Sequence, residues 1–230
     1  MKPQPLVAAA GLASVAGVAG FASYCVLAWA RYGHVRPERH PPDPLLDRFI
    51  PHPEVDEYHH IAVRAPAAIT LKAAKEMDIQ ASSLARAIFW LRAIPALLRG
   101  EPFRPRGSKG IVEETLDLGW GVLAEVPDRE IVMGAYTQPW HEQVTFHPLS
   151  PEEFTAFEEP GYVKIVWTLA AEPCADDGSL FVTRTRAVAT DAASRKRFRL
   201  YWSVMSAGII IRYAGLTIVR REAERLTRST

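Results

Sequence analysis

The stretch VDEYHHIAVRAPAAITLKAAKEM, residues 55–77, decides the fold. Residues 55–64 are rich in β-formers and hold no breaker, so they read as a strand. Ala65-Pro66-Ala67 then starts a helix with proline in its first turn, where the missing N–H is no loss. That helix runs to about Met77 and closes at Asp78. The chain therefore opens its ordered part with a strand feeding directly into a helix.

Downstream, Ser82-Ser83 caps a second helix in which Leu84, Ile88, Leu91, Ile94 and Leu98 recur at helical spacing, with Pro95 as a kink and Gly100 as a stop. A polar loop with Pro102, Pro105, Gly107 and Gly110 follows. Strands are then expected at residues 111–124 and 129–136, joined by the tight turn Val126-Pro127-Asp128, with a short strand near residues 143–147. Ser150-Pro151-Glu152-Glu153 combines an N-cap, proline at the first helical position and early acids, so it starts one or two helical turns that end by Pro160-Gly161.

Residues 162–172 alternate. Val163, Ile165, Trp167 and Leu169 share one face, expected to be the core face, and Tyr162, Lys164, Val166 and Thr168 share the other. Asp176-Asp177-Gly178 makes a hairpin to a strand over residues 180–190. Asp191 caps a long last helix from Ala192, with a bend near Ser206-Ala207-Gly208. One stripe of that helix carries Phe198, Tyr201, Trp202, Met205, Ile209 and Leu216, and a nearly opposite one carries Leu200, Val204, Ile211 and Ile218. A helix apolar on two faces is buried twice, by the sheet and by the early helices, another subunit or a membrane.

North of this domain in the chain, residues 6–30 carry no charge and at ~1.5 Å per residue are long enough to cross a ~30 Å hydrocarbon core. Trp29 and Tyr32 stand where an interfacial belt would be. A cleaved signal peptide is the rival, and it is opposed by an apolar run longer than the ~7–15 residues of such a region. Residues 1–30 are therefore read as a single-pass anchor, residues 31–54 as a Pro-rich linker and residues 55–230 as the folded domain. Arg31, Arg36 and Arg39 outweigh Lys2, which places the domain on the cytoplasmic side.

The whole chain has 230 residues and a net charge of +1. Such a balance is unlike the one-signed field of a nucleic-acid binder, and no nucleic-acid partner is expected. The two cysteines, Cys25 and Cys174, suggest neither a disulfide framework nor a zinc site.

The order strand, two short helices, strands with tight turns, then a long apolar helix, with His60-Ile61-Ala62-Val63-Arg64-Ala65-Pro66-Ala67 at the first junction and Thr190-Asp191-Ala192-Ala193 before the last helix, resembles the START/Bet v 1-like (SRPBCC) helix-grip superfamily. The resemblance covers about three-quarters of the chain. It implies an α+β fold in which a curved antiparallel sheet of about six or seven strands wraps around the C-terminal helix, with an apolar cavity between them. Members bind lipids, sterols, polyketides or hormones, and some catalyse cyclisation or dehydration. No catalytic constellation is shared across the superfamily, so no catalytic residue carries over.

The residues themselves point the same way, because a half-open sheet needs a cover and only the last helix is long and apolar enough to supply it. Small side chains on the final strand, Thr183 and Thr185 among them, leave volume beside that helix. Tyr136, Trp140, Trp167, Thr183, Thr185, Tyr201, Trp202 and Met205 are the expected ligand-binding residues, the rings giving area and their polar tips orienting a ligand. Glu114, expected to alternate with Val112, Leu116 and Leu118 on a strand, and His59 are the candidates for acid–base work. Adjacent His59 and His60 point to opposite faces, and His141 and His147 lack partners at metal-ligand spacing, so no metal or other cofactor is expected.

The expected function is membrane-anchored binding or sensing of an apolar, lipid-like or polyketide-like small molecule. Two alternatives stand beside it: a cyclase or dehydratase acting on an apolar substrate, and a structural module whose C-terminal helix meets a second copy or the membrane.

Overall fold

The computed structural model of the chain describes residues 41–78, 109–141, 143–205 and 208–229, with residues 20, 23, 26, 27 and 30 of the N-terminal stretch. The elements run α1 (Pro44–Asp47), β1 (Val55–Val63), α2 (Ala67–Lys75), α3 (Ile111–Asp117), β2 (Gly121–Val126), β3 (Glu130–Thr137), β4 (Phe146–His147), α4 (Pro151–Ala156), β5 (Val163–Pro173), β6 (Ser179–Ala189), α5 (Ala192–Met205) and α6 (Gly208–Arg228). The fold is α+β. Its six strands make one curved antiparallel sheet in the order β1-β6-β5-β3-β2, with β4 paired to β3.

Local chemistry accounts for most of the joints. Between β5 and β6, Asp176 and Asp177 both adopt left-handed φ, 61° and 54°, the pair of values a two-residue hairpin turn needs to match the strands' twist. Between β2 and β3, Pro127 and Asp128 (φ 59°) are the central residues of a turn closed by the Arg129 N–H on the Val126 carbonyl at 3.1 Å. Helix α4 starts with a reciprocal cap, the Glu153 N–H donating to Ser150 Oγ at 3.3 Å and the Ser150 N–H donating to Glu153 Oε2 at 3.0 Å. Asp191 accepts the N–H groups of Ala193 and Ser194 at 2.8 and 2.9 Å and that of Gly161 at 2.6 Å. With the Ser194 hydroxyl as the largest influence, these donors hold its carboxyl well below the usual carboxylate range.

The sheet is buried on both sides. Its inner face carries Ile131, Met133, Leu169 and Phe181 against Leu71, Met77 and Leu216 of the helical side. Near the other end, Val163, Ile165, Ala187 and Ala189 meet Phe198 of α5. The outer face is covered too, because Leu46, Phe49 and Ile50 join Phe154 over Val132 and Val166. Both faces of β5 are therefore inside, including Lys164 and Thr168, so the expectation of one core face accounts for only half of that strand.

Residues 41–50, expected as spacer, are fixed to this outer face. Arg184 reaches both Asp56 oxygens, at 2.7 and 2.5 Å, and the Pro41 carbonyl at 2.6 Å. Arg186 donates to Asp47 at 2.6 Å and to the Ile50 carbonyl at 3.0 Å. Both arginines are buried, and a buried guanidinium is tolerable only with such partners.

Two further expectations change. Residues 111–117 form helix α3 rather than the first part of a strand, and only residues 121–126 are strand. The expected single last helix is present as α5 and α6, and residues 206–207 of the expected bend lie outside the described residues. The second helix expected after Ser82-Ser83 also lies outside them. No described helix is long and apolar enough to cross a membrane, and the anchor expected at residues 6–30 falls almost wholly outside the described residues.

Candidate functional site: a cavity between the sheet and the C-terminal helices

Helix α3 and the turn after it build one wall of the site. Glu113 and Glu114 occupy its first turn, where carboxylates suit the positive end of the helix. It ends where the Trp120 N–H bonds the Thr115 carbonyl at 3.2 Å and the Gly119 N–H bonds the Leu116 carbonyl at 2.9 Å. That closure needs a residue with positive φ, and Gly119 has φ 94°. The start of α3 is tied to the end of α2 by the Ile111 N–H, 3.0 Å from the Met77 carbonyl.

Against this wall stand the inner faces of β5 and β6 and parts of α5 and α6, and between them lies an open-mouthed cavity of about 410 Å³. Ile165, Trp167 and Leu169 come from β5, Phe181, Thr183 and Thr185 from β6, Tyr201 from α5, and Gly215 and Leu216 from α6. Trp120 sits at one side, edge-on to Trp167 at 6.5 Å and against Phe146 at 4.9 Å. The lining is predominantly apolar and the volume falls in the range of small-molecule sites.

Polar groups in the lining are few. Thr115 donates to the Ile111 carbonyl at 2.6 Å and is occupied by its own helix. Glu114 projects from α3 with one carboxylate oxygen shielded from solvent. Thr183, Thr185 and Tyr201 supply hydroxyls. On the same inner face, β1 pairs Glu57 with Thr185 and His59 with Thr183, and His59 Nε2 lies 3.7 Å from Glu57 Oε2.

Of the residues expected at the site, Trp167, Thr183, Thr185 and Tyr201 line the cavity, and so does Glu114. His59 is on the inner face, beside it in register, and His60 is exposed, its ring 5.2 Å from Tyr58. Trp140 and Trp202 pack beside Phe198 instead of lining the cavity, with Trp202 5.6 Å from the Phe198 ring. Tyr136 points the other way, because it shares the outer side of β3 with Val132 and Gly134. There it stacks on Phe157 at 4.2 Å and His147 at 4.9 Å. Met205 closes α5, and its side chain lies outside the described residues, as do those of Val204, Ile209 and Ile211. From the second stripe, Leu200 is exposed while Ile218 packs on the inner core.

Sequence reasoning missed Ile111, Thr115, Leu118 and Trp120 as cavity residues because it placed residues 111–124 on a strand. The signal was present: two acids in a row ahead of Leu-Gly is a helix start followed by a helix stop.

The chain matches no protein-family model, and no curated protein sequence is significantly similar to it. The site is therefore read from its own geometry.

Proposed function

We propose that the chain binds or senses an apolar, lipid-like or polyketide-like small molecule in the cavity between the sheet and the C-terminal helices, in a helix-grip domain of the SRPBCC kind held at a membrane by residues 6–30. The observation that carries this reading is the cavity itself, about 410 Å³ with mainly aromatic and aliphatic walls. An apolar cleft of this size with few polar groups in its walls has the form of a small-molecule site, and this argues for an occupant. The charge-free run of residues 6–30 supports delivery of that occupant from a bilayer.

The test is native mass spectrometry of the full chain extracted in mild detergent from its own host. An apolar adduct is expected on the wild type and absent from Gly215→Leu, which grows a side chain from the cavity wall. A wild-type chain without any adduct, from several growth conditions, ends the reading.

Glu114 favours a second reading, a dehydratase or cyclase, because it places a carboxylate in an apolar cavity. Under that reading Glu114→Gln traps a molecule heavier by one water, or isomeric, relative to the one held by the wild type. An identical adduct in both excludes it.

A further inference from the structure

The inner face of the sheet is mostly apolar; Ser179 and Thr137 at strand ends are polar but bonded, to Thr70 and the Ala65 carbonyl and to the Thr145 carbonyl. On β3 it presents Ile131, Met133 and Ala135, on β5 Val163, Ile165, Trp167, Leu169 and Ala171, and on the ends of β1 and β6 Val55, Ile61, Val63, Phe181, Ala187 and Ala189. In the middle of β1 and β6, four successive inner positions break this pattern. Glu57 stands opposite Thr185, and His59 stands opposite Thr183. Glu57 and Thr185 are buried, with 4% and 6% of their surface exposed, and the His59 side chain is 10% exposed.

Glu57 and His59 face each other at 3.7 Å, and a hydroxyl placed beside them in a largely apolar wall is costly unless something pairs with it. The two threonines are the ones that reach the cavity. Neither of their hydroxyls has a hydrogen-bond partner among the described residues, in contrast to Thr115, Thr137 and Thr70, each of which bonds a carbonyl or another hydroxyl. Thr183 and Thr185 are two residues apart on one strand, so their side chains project to the same side ~6.8 Å apart. No single ligand atom bridges hydroxyls at that spacing, since two hydrogen bonds of ~2.8 Å span less.

We infer that Thr183 and Thr185 form the polar subsite of this cavity, and that its ligand is an oxygenated apolar molecule carrying two hydroxyl or carbonyl groups along one edge. This rests on the cavity being a binding site. The remaining walls, Trp167, Leu169, Phe181, Ile165 and Leu216, hold the hydrocarbon body. Glu57 and His59 back the subsite across the strand and keep that part of the sheet polar. A plain hydrocarbon leaves both threonine hydroxyls unmatched and binds less well than the diol of the same skeleton.

The experiment compares naphthalene with 2,7-dihydroxynaphthalene on the full chain in detergent, titrated by native mass spectrometry. Wild type is set beside Thr183→Val/Thr185→Val, which removes the hydroxyls at nearly constant shape, and Thr183→Ser/Thr185→Ser, which restores them. The micelle takes up probe equally in all three samples, so occupancy ratios read the cavity. The diol should lose roughly tenfold or more in affinity in the valine variant and recover in the serine variant, while naphthalene changes by less than about twofold. If both probes bind and the valine variant treats the diol as wild type does, the subsite is overturned and the binding cavity stands. If neither probe binds the wild type, the cavity reading falls and takes the subsite with it. Thermal melts of the three proteins within about 3 °C of one another exclude misfolding as the cause.

Discussion

Replacing Glu130 by glutamine should stabilise the protein at alkaline pH and have little effect in acid. Glu130 opens β3 on the outer face, half-buried, with Asp43 and Glu172 nearby. Burial, then the charges of Asp43 and Glu172, push its carboxyl from 4.5 up to about 7 against the opposing pull of Arg129. A group whose folded pKa is raised holds its proton more tightly in the folded state. Its contribution is intact below the unfolded value of 4.5 and is lost as pH climbs through about 7. At ~1.36 kcal/mol per pH unit the shift corresponds to at most about 3.4 kcal/mol. Solvent screening of a half-exposed carboxylate brings this to about 1.5 kcal/mol. Glu130→Gln should therefore raise stability by about 1.5 kcal/mol at pH 8.5, or roughly 3–6 °C in Tm, and by about a quarter of that at pH 5. Thermal and urea denaturation of the full chain in detergent at the two pH values, wild type beside variant, measures the difference. An equal effect at both, or a larger one at pH 5, would refute the assignment of a charge held in an unfavourable place.

The remaining predictions concern packing. A Cβ at Gly134 would lie 2.2 Å from Leu123 Cδ1 and 2.8 Å from its Cγ, so Gly134→Ala should destabilise by roughly 1–3 kcal/mol in urea titration. Gly215 lies inside α6 with Met77 Cε 3.5 Å and Sδ 3.6 Å from the position of a Cβ; there Gly215→Ala makes ordinary contact and should stabilise by about 1 kcal/mol through helix propensity. Phe49 is 3% exposed and edge-on to Phe154 at 6.2 Å. Truncation to alanine should lose about 3–5 kcal/mol, and a loss below about 0.5 kcal/mol would return residues 41–50 to the status of a spacer.

Much of the fold was legible because its signals are local. Asp176-Asp177-Gly178, Ser150 with Glu153, and Asp191 each act on backbone groups within a few residues, and each does in the structure what its chemistry requires. The alternation of residues 163–169 gave the strand and its inner face for the same reason. Helix α3 was misread because Val112, Glu114, Leu116 and Leu118 satisfy a period of two as well as a helix, and the deciding residue was Gly119 after the pattern rather than any residue within it. Among the expected site residues whose side chains are described, Trp167, Thr183, Thr185 and Tyr201 reach the cavity from β5, β6 and α5, and Glu114 reaches it from α3. Tyr136 did not, because the parity of β3 turns it outward, and that parity is fixed by pairing Met133 with Trp167 across the sheet.

The sequence by itself determined the hairpin turns, the starts of α2, α4 and α5 and which residues of each strand share a face, since those depend on neighbours a few bonds away. Only the tertiary structure decided that residues 41–50 belong to the outer face. Their prolines exclude long regular elements but say nothing of Arg184 and Arg186, more than a hundred positions away, whose buried charges hold Pro41, Asp47 and Ile50 in place. Tertiary structure likewise gathered Glu114 from α3, Trp167 from β5, Thr183 and Thr185 from β6 and Tyr201 from α5 around one space. A cavity is a failure of distant elements to fill the volume between them, so it has no residue pattern of its own and emerges only when all of its walls are in place.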